Sequence, residues 1–268
     1  LMEVKVQNPS DFDRENEIVE ADLNDQILSV LGSGQSEIIV VDQHNKQIPY
    51  QLITNGEDTP SSIIFPVGIK ASQTTSYNIL SGKPENFSPM VYGRLVPERK
   101  DDFTWENNRI AYRIYGPALQ ETGEISGGLD IWVKSTDQMI IDKWYKDDLA
   151  GVKSYHQDHG EGLDFYKVGP TLGLGMTAPI SDNQLWLGKN FTSAEILDIG
   201  PLRITMKFKY APFEVEDHEV TETRIISLDA YDYLNKVVNI FDSDASELEL
   251  ATGLVTSGDG TEPTWSDS

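Results

Sequence analysis

The sequence of 268 residues contains no cysteine, and histidine occurs only four times. Without thiols the chain can form neither disulfides nor thiolate-ligated zinc sites. Basic residues are also scarce, since 21 Lys and Arg stand against 44 Asp and Glu, for a net charge of −23. Because phosphate binding needs clustered Lys and Arg, this deficit argues against nucleic acid as a partner.

Long apolar runs are missing as well. No stretch reaches the roughly 18 apolar residues of a membrane-spanning helix, so we expect no transmembrane segment. The opening residues, LMEVKVQNPSDF, lack the basic and apolar regions of a signal peptide and are typical of a strand and a turn. The sequence therefore predicts either a cytosolic protein or the mature form of an exported one.

The negative charge is concentrated at the two ends of the chain. Residues 1–60 carry 3 basic and 12 acidic groups, and residues 211–268 carry 2 and 14. Residues 61–210 are close to balance, with 16 basic and 18 acidic groups. Acidic faces of this kind keep a protein soluble, so we expect the functional residues in the central part.

Alternation of apolar and polar residues dominates the sequence. In PLRITMKFKY, for example, Leu202, Ile204 and Met206 fall on one face of a strand. Short runs of this type recur at intervals of roughly 8–12 residues, separated by Asn, Asp, Gly and Pro. The best helical pattern is DYLNKVVNIF, residues 232–241. The sequence thus predicts an all-β protein of sandwich architecture.

A domain boundary is indicated at SGKPENFSPM, residues 81–90, where Gly, Pro and Ser interrupt the alternation. We therefore predict a small N-terminal β-sandwich over residues 1–85 and a larger β domain over residues 90–268. The last residues, ELELATGLVTSGDGTEPTWSDS, contain no obvious closing element. We accordingly expect the second domain to be incomplete at its C-terminus.

The stretch SYHQDHGEGLDFYKVG, residues 154–169, holds two of the four histidines among carboxylates, tyrosines and glycines. An imidazole beside a carboxylate suits proton abstraction or donation near neutral pH. One interpretation is therefore acid–base catalysis, with His156 or His159 as the base. The candidate partners of that base are Glu161, Tyr155 and Tyr166.

Two other interpretations of the same stretch remain open. His156, Asp158, His159 and nearby carboxylates could hold a divalent metal ion in a turn that Gly160 and Gly162 permit. No HExxH or EF-hand spacing supports such a site, and we expect no cofactor. Alternatively, the histidines only form hydrogen bonds within a crowded turn.

A second motif, RLVPERKDDFTWENNRIAYRIYGPAL, spans residues 94–119 and is rich in arginine and aromatic residues. Arginine binds carboxylates through a planar fork, and a tryptophan can stack on a sugar ring. Strand alternation would place Arg109 and Arg113 on one wall of a groove. The alternative is a set of cross-strand ion pairs. The ligand-binding candidates from this motif are Arg99, Trp105, Arg109 and Arg113.

A third motif, IIDKWYKDD, contains Lys143 and Trp144 at what we interpret as a strand end. Such residues suit carbohydrate binding, although aromatic packing over a sandwich edge is an equal alternative. We also include Asp164 among the substrate-binding candidates.

Several of these strings resemble a bacterial family of domains of unknown function. The strings are VPERKDDFTWENNRIAYRIYGPAL, SGGLDIWVKS, SYHQDHGEGLDFYKVGPTLGLG, GPLR and ISLDA, within residues 90–235. We associate this family with polysaccharide-degradation loci of Bacteroidetes-type bacteria. The resemblance implies an exported carbohydrate-related protein, periplasmic or attached to the outer membrane, and it supplies no catalytic mechanism.

The N-terminal part of the chain is similar to the β-sandwich that precedes the large β domain of alpha-mannosidases. The matching strings are VKVQNPSDFDRENEIVE, IIVVDQHNKQIPYQLI and SIIFPVGIKASQTTSYNIL. This resemblance implies that the second domain is a galactose-mutarotase-like antiparallel supersandwich, opened by the strand ENNRIAYRIYG.

Together these patterns predict a protein that binds an anionic oligosaccharide or polysaccharide. The expected activity is acid–base chemistry on uronic-acid-containing oligosaccharides, as in a lyase, epimerase or isomerase, with Arg109 or Arg113 neutralising the sugar carboxylate. One alternative is a glycoside hydrolase that pairs Glu161 with Asp164 or Asp102. The other is a non-catalytic carbohydrate-binding or cell-surface protein. No pattern predicts the oligomeric state.

Overall fold

A computed structural model describes residues 2–32 and 37–256 of the chain. Strands account for 49% and helices for 10%, and the strands form several antiparallel sheets. The predicted all-β sandwich architecture is confirmed. Residues 1, 33–36 and 257–268, which include the end of the predicted second domain, lie outside the described residues.

The N-terminal part contains two antiparallel sheets and one helix. The elements are β1 (Met2–Gln7), β2 (Arg14–Asp22), α1 (Asp25–Gly32), β3 (Ile38–Val41), β4 (Gln47–Ile48), β5 (Gln51–Ile53), β6 (Ser62–Ile69) and β7 (Thr74–Ser81). One sheet has the order β1-β7-β3-β4, and the other has the order β2-β6-β5. Their apolar faces meet in one core, to which β6 contributes Ile63, Phe65 and Val67 at alternate positions.

The middle of the chain forms a five-stranded sheet with the order β12-β11-β10-β9-β8. Its elements are β8 (Val91–Val96), a 3₁₀ turn (Pro97–Arg99), β9 (Asp102–Asn107), β10 (Ile110–Ile114), α2 (Pro117–Gln120), β11 (Asp130–Lys134), α3 (Ile141–Leu149) and β12 (Gly162–Leu163). All residues of β9 and β10 are buried. This sheet is therefore covered on both faces.

One face of the five-stranded sheet packs on the main core, and the other is covered by α3. Ile141, Trp144 and Tyr145 are buried on one side of this helix, at the spacing of a helical stripe. Glu106 of β9 accepts hydrogen bonds from the backbone N–H groups of Ile140 and Ile141, both at 2.9 Å. The placement of IIDKWYKDD at a strand end was wrong, because its apolar residues follow a helical period.

The last third of the chain supplies two further antiparallel sheets. The elements are β13 (Leu174–Ser181), β14 (Gln184–Leu185), β15 (Phe191–Ile199), β16 (Arg203–Tyr210), β17 (Phe213–Val215), β18 (His218–Asp229), β19 (Asn235–Ser243) and β20 (Leu250–Leu254). The larger sheet runs β15-β16-β18-β19, with β17 paired to the start of β18, and the smaller runs β14-β13-β20.

The helix predicted for DYLNKVVNIF was wrong, because most of this segment is the strand β19. Its residues pair with β18 from Asn235 opposite Leu228 to Ser243 opposite Val220. Val237, Val238 and Ile240 are β-branched and favour a strand, and the long partner strand supplies the backbone hydrogen bonds. Val238 and Ile240 remain exposed on the outer face.

The N-terminal part has a core of its own, but its residues Ile53 and Ile64 also belong to the main core of the following part. Specific polar contacts join the two parts as well. Residues 82–90 lie in no helix or strand. Gln51 donates a hydrogen bond to the carbonyl of Arg203, and Asp198 accepts hydrogen bonds from Thr54 and Asn55. The domain limits 1–85 and 90–268, and the galactose-mutarotase-like identity of the second domain, stay predictions.

Over residues 2–32 and 37–256, no helix has both the length and the apolar character that crossing a membrane would require.

Candidate functional site

A shallow groove, which encloses a volume of only about 20 Å³, lies on the surface between α3 and the turn that precedes β12. It brings together five of the residues that the sequence proposed as site residues. These residues are Lys143, Trp144, Tyr155, His159 and Glu161. The structure therefore combines part of the third motif with the histidine-bearing stretch.

The turn is held in shape by Asp158 and by glycines. The Asp158 carboxylate accepts hydrogen bonds from the backbone N–H groups of Gly160, at 2.7 Å, and Gly162, at 3.2 Å. These hydrogen bonds lower the pKa of Asp158. Gly162 has a φ of +112°, and a Cβ there would collide with the carbonyl oxygen of Val133. Glycine is therefore required where the turn joins the sheet.

This use of Asp158 bears on the metal-site alternative for His156, Asp158 and His159. Within the described ranges, no group of three or more His, Asp or Glu side chains is arranged to hold a metal ion. The Asp158 carboxylate stabilises the backbone of the turn. His156 and His159 also form hydrogen bonds within this stretch, as the third interpretation expected.

Lys143 and Glu161 form an ion pair across the groove. The Nζ atom of Lys143 lies 2.6 Å and 2.7 Å from the two carboxylate oxygens, and the Trp144 indole N–H lies 3.4 Å from one of them. The hydrogen bond from Lys143 lowers the pKa of Glu161. Glu161 is therefore ionised at neutral pH, and a competing anion would have to displace it from Lys143.

His156 lies beside the groove with its ring against Tyr155, at a centroid distance of 4.6 Å. Its Nδ1 atom lies 3.1 Å from the carbonyl oxygen of Asp164 and 3.6 Å from the Asp164 carboxylate. Since a carbonyl only accepts hydrogen bonds, we assign the ring proton to Nδ1. Nε2 then has a lone pair, in a side chain that is 59% exposed, which is the arrangement required of a general base.

His159 is fixed in the opposite tautomer. Its Nε2 atom lies 3.1 Å from the carbonyl oxygen of Ser154 and therefore carries the proton. The Nδ1 atom of His159 is left with the lone pair. Both histidines thus combine an exposed ring with a backbone hydrogen bond that sets the tautomer.

An aromatic layer separates the groove from the sheet below it. Trp132 is fully buried and stacks on Trp144 at 5.5 Å and on Tyr155 at 5.0 Å between ring centroids. Trp144 is only 7% exposed, so it presents little more than an edge to the groove. Sugar stacking on the face of Trp144, as the sequence suggested, would need Trp144 to move.

Arg113 lies beneath this layer in a cluster of buried charges. Its guanidinium donates to Asp130 at 2.9 Å and to Asp164 at 2.8 Å, and these three side chains are at most 3% exposed. Arg113 stands opposite Asp130 in the pairing of β10 with β11. The cross-strand ion-pair alternative is thus correct for Arg113. Arg113 and Asp164 are structural neighbours of the groove and have no contact with its opening.

Asp102 and Arg99 extend the same cluster. Burial raises the pKa values of Asp102 and Asp164 to about 6, although Arg113 opposes the rise in both. Arg99 Nη1, Asp102 Oδ1 and Asp164 Oδ1 are buried and make no hydrogen bond within the described part of the chain. The cluster is therefore incompletely satisfied, and it changes its charge close to neutral pH.

Replacing Asp102 by asparagine should change how stability depends on pH. The folded-state pKa of about 6 lies above the ordinary value of 3.8, so the folded protein binds this proton more tightly than the unfolded chain does. Stability is therefore lost as pH rises towards 6. Relative to wild type, Asp102→Asn should gain about 1–2 kcal/mol in unfolding free energy between about pH 5 and about pH 7.5.

Urea denaturation of both proteins at the two pH values measures this gain. Asp137→Asn, at an exposed position, serves as the control and should differ from wild type by the same amount at both pH values. An Asp102→Asn difference that is independent of pH would contradict the raised pKa.

Three further sequence-based candidates lie outside both the groove and the Arg113 cluster. Trp105 is fully buried in the main core, where its indole donates to Asn235 at 2.9 Å, so it cannot stack on a ligand. Arg109 precedes β10 and lies over the ring of Tyr233, so it does not share a groove wall with Arg113. The Tyr166 hydroxyl donates to the carbonyl of Val255 at 3.0 Å.

Sequence reasoning missed Asp130 and Lys153. Asp130 and the Tyr115 hydroxyl complete the environment of Arg113, and Lys153 lines the groove. A charged residue at the start of the apolar strand in GGLDIWVK was the available signal for Asp130. No local signal distinguishes Lys153 from other surface lysines.

The fold and the groove define an antiparallel β-sandwich protein with a histidine-bearing surface site. The chain belongs to the family described as Domain of unknown function (DUF4861), which matches residues 6–266. It is 32% identical, over 238 residues, to a protein of Formosa agariphila named uncharacterized protein P7. The alignment covers 84% of this chain, and the chain spans about 60% of that relative's length. No solved structure matches significantly.

Proposed function

We propose that this protein binds uronic-acid-containing oligosaccharides in the groove beside α3 and acts on them by acid–base chemistry. The reaction would be of the lyase, epimerase or isomerase type. The observation that carries this proposal is the position of His156, which is exposed beside the groove. Its Nδ1–H donates a hydrogen bond to the backbone carbonyl of Asp164, and its Nε2 is left as a hydrogen-bond acceptor. Imidazole in this state is suited to abstracting a proton.

In the proposed reaction, His156 Nε2 removes the proton on the carbon next to the sugar carboxylate. The electron pair of the broken C–H bond moves towards the carboxylate, where negative charge develops. In a lyase this pair then forms a carbon–carbon double bond as the glycosidic oxygen leaves and takes up a proton. In an epimerase a proton returns to the same carbon from the opposite side.

The sugar carboxylate needs a cation within the groove. Arg113 is buried in ion pairs, and Arg109 lies elsewhere, so neither is placed for this role. Lys143 and Lys153 are the two cationic side chains that line the groove. We assign the neutralising role to Lys143, which already holds the carboxylate of Glu161.

The glycoside hydrolase alternative needs two carboxyl groups on either side of the scissile bond. Asp102 is fully buried and Asp164 is 1% exposed, whereas Glu161 lines the groove. Neither of the two carboxyl groups predicted to act with Glu161 therefore lines the groove, and we prefer the histidine mechanism.

Export to the periplasm or outer membrane, and a galactose-mutarotase-like second domain, belong to the same proposal. Export is supported by the resemblance of residues 90–235 to domains of polysaccharide-degradation loci. The galactose-mutarotase-like domain is supported by the similarity of the N-terminal part to alpha-mannosidases. The antiparallel sandwich architecture is compatible with both.

Binding measurements with matched ligands test the assignment of Lys143. Isothermal titration with an oligouronide and a neutral oligosaccharide of equal length should show preference for the acidic ligand. Lys143→Met should weaken oligouronide binding by about tenfold, the effect of one charge-assisted hydrogen bond, and should leave neutral ligands unaffected.

The matched control is Lys70→Met, at an exposed ion pair in the N-terminal part. It should bind the oligouronide as wild type does. Equal affinity for acidic and neutral ligands, or unchanged binding by Lys143→Met, would refute the role of Lys143.

A further inference from the structure

The strand β19 forms one edge of the sheet β15-β16-β18-β19. It is nine residues long and pairs with β18 over its whole length without a shift in register. Within residues 2–32 and 37–256, β18 is its sole strand partner, and β19 makes no backbone–backbone hydrogen bond outside this pairing. Its outer side therefore presents a row of backbone donors and acceptors to another strand.

Two other edge strands of nine residues show how this protein protects an edge. The strand β2 carries five charged residues and a shift in register between Arg14 and Glu17. The strand β15 has two such shifts, and its Asp198 binds Thr54 and Asn55 of the N-terminal part. In contrast, β19 pairs regularly, and its central sequence VVNIF contains no charge, proline or glycine. An edge of this kind is suited to pairing with a further strand.

The outer face of β19 carries four exposed side chains at alternate positions. Val238 and Ile240 are exposed at its centre, although both are apolar. Lys236 lies at one end of this apolar pair, and Asp242 lies at the other. The exposed face is thus bounded by two opposite charges.

This order of residues makes β19 complementary to a second β19. In an antiparallel pairing about a two-fold axis at Asn239, Lys236 stands opposite the partner's Asp242, and Val238 stands opposite the partner's Ile240. Both contacts occur twice because of the symmetry. Opposite charges and apolar pairs stabilise neighbouring strands when they face each other directly, whereas like charges destabilise them.

The fit is specific to this register. Moving the axis by one residue in either direction would place Lys236 opposite the partner's Ile240, or Asp242 opposite the partner's Val238. A charge would then face an apolar side chain at each symmetric contact. Only the axis at Asn239 pairs charge with charge and apolar residue with apolar residue.

We propose that the protein forms a symmetric dimer in which β19 pairs antiparallel with β19 of a second copy. The four strands β15, β16, β18 and β19 of each copy then form one continuous sheet of eight strands. The occupant of the edge is a second copy because the complementary charges and apolar residues all lie on the same strand. This inference is independent of the function proposed for the groove.

Sedimentation-velocity centrifugation of the 268-residue chain tests the proposal. Each copy carries a net charge of −23, so the measurement uses about 150 mM salt to screen the repulsion between copies. Between about 1 µM and 500 µM protein, the mass should rise from 30.0 kDa to twice that value. We expect a dissociation constant of about 10 µM, since one pair of strands makes a small interface.

An exposed lysine at the centre of β19 should abolish the pairing. Ile240→Lys places an ammonium group opposite the partner's Val238 at both symmetric contacts and should weaken dimerisation at least about 30-fold. The matched control is Ile199→Lys. Ile199 and Ile240 are both 50% exposed, and Ile199 lies in β15 at the other edge of the same sheet. This control should dimerise as wild type does.

A charge exchange tests the register. Lys236→Asp or Asp242→Lys places like charges opposite each other at two contacts, so each should weaken dimerisation about tenfold. The double variant restores opposite charges and should regain the wild-type affinity. Within one chain these residues stand opposite Ser227 and Thr221, which are uncharged, so the exchange leaves the pairing of β18 with β19 intact.

Three results would overturn the proposal. One is that the wild-type protein stays monomeric up to about 500 µM, in which case the edge is covered by a different molecule or segment. Another is that Ile240→Lys, folded by circular dichroism, dimerises as tightly as Ile199→Lys. The third is that the double charge variant dimerises no better than either single variant, which would exclude the axis at Asn239.

Discussion

Replacing Arg113 by methionine should lower the free energy of unfolding by about 3–5 kcal/mol, because it leaves two buried carboxylates without their cation. Asp130 and Asp164 each accept hydrogen bonds from this guanidinium and are at most 1% exposed. Urea denaturation followed by tryptophan fluorescence at neutral pH measures the loss.

The matched control is Arg94→Met. Arg94 is also paired with two carboxylates, those of Glu98 and Asp142, but at the surface. Exposed pairs contribute little, so this variant should lose less than about 1 kcal/mol. The Arg113→Met deficit should also shrink towards about pH 5, because the pKa of Asp164 is raised to about 6 and its protonation removes one unpaired charge. Equal losses in the two variants would contradict the burial of the cluster.

Replacing His156 by glutamine should lower turnover of an oligouronide by about 10²–10⁴-fold, the contribution typical of a positioned general base. Ligand affinity should change little, since His156 acts on the proton and Lys143 holds the carboxylate. Release of the unsaturated product, or exchange of the labile proton into deuterated water, measures the turnover of a lyase or an epimerase.

His44→Gln is the control, because His44 is exposed in a turn of the N-terminal part. It should retain full turnover. If His159→Gln loses turnover while His156→Gln keeps it, the base is His159 and our assignment is wrong. If the wild-type protein binds oligouronides without turnover, the non-catalytic alternative replaces the enzyme proposal.

Much of the fold could be predicted because strand alternation is a local property. The inward residues of PLRITMKFKY, Leu202, Ile204 and Met206, are fully buried, as their spacing indicated. Two elements could not be assigned in this way. The segment that forms α3 is too short for its helical period to stand out. The strand β19 is stabilised by its pairing with β18, which the residue pattern of β19 alone does not show.

The candidate site was predictable where its residues are neighbours in sequence. Residues 154–162 form one turn, so Tyr155, His159 and Glu161 line the groove together. The roles of Arg113 and Trp105 depended on partners that are far along the chain, Asp164 and Asn235. A strand pattern indicates which face a side chain occupies, but it does not reveal what covers that face.

The attachment of α3 to the sheet has a consequence for divergence within the family. Glu106 is fully buried, binds the first turn of the helix and pairs with Lys134, so the support beneath the groove tolerates little variation. At the rim, His156, Gln157 and His159 are exposed and carry no buried charge. Under the proposed function, these rim residues can be exchanged to change ligand preference while the scaffold stays constant.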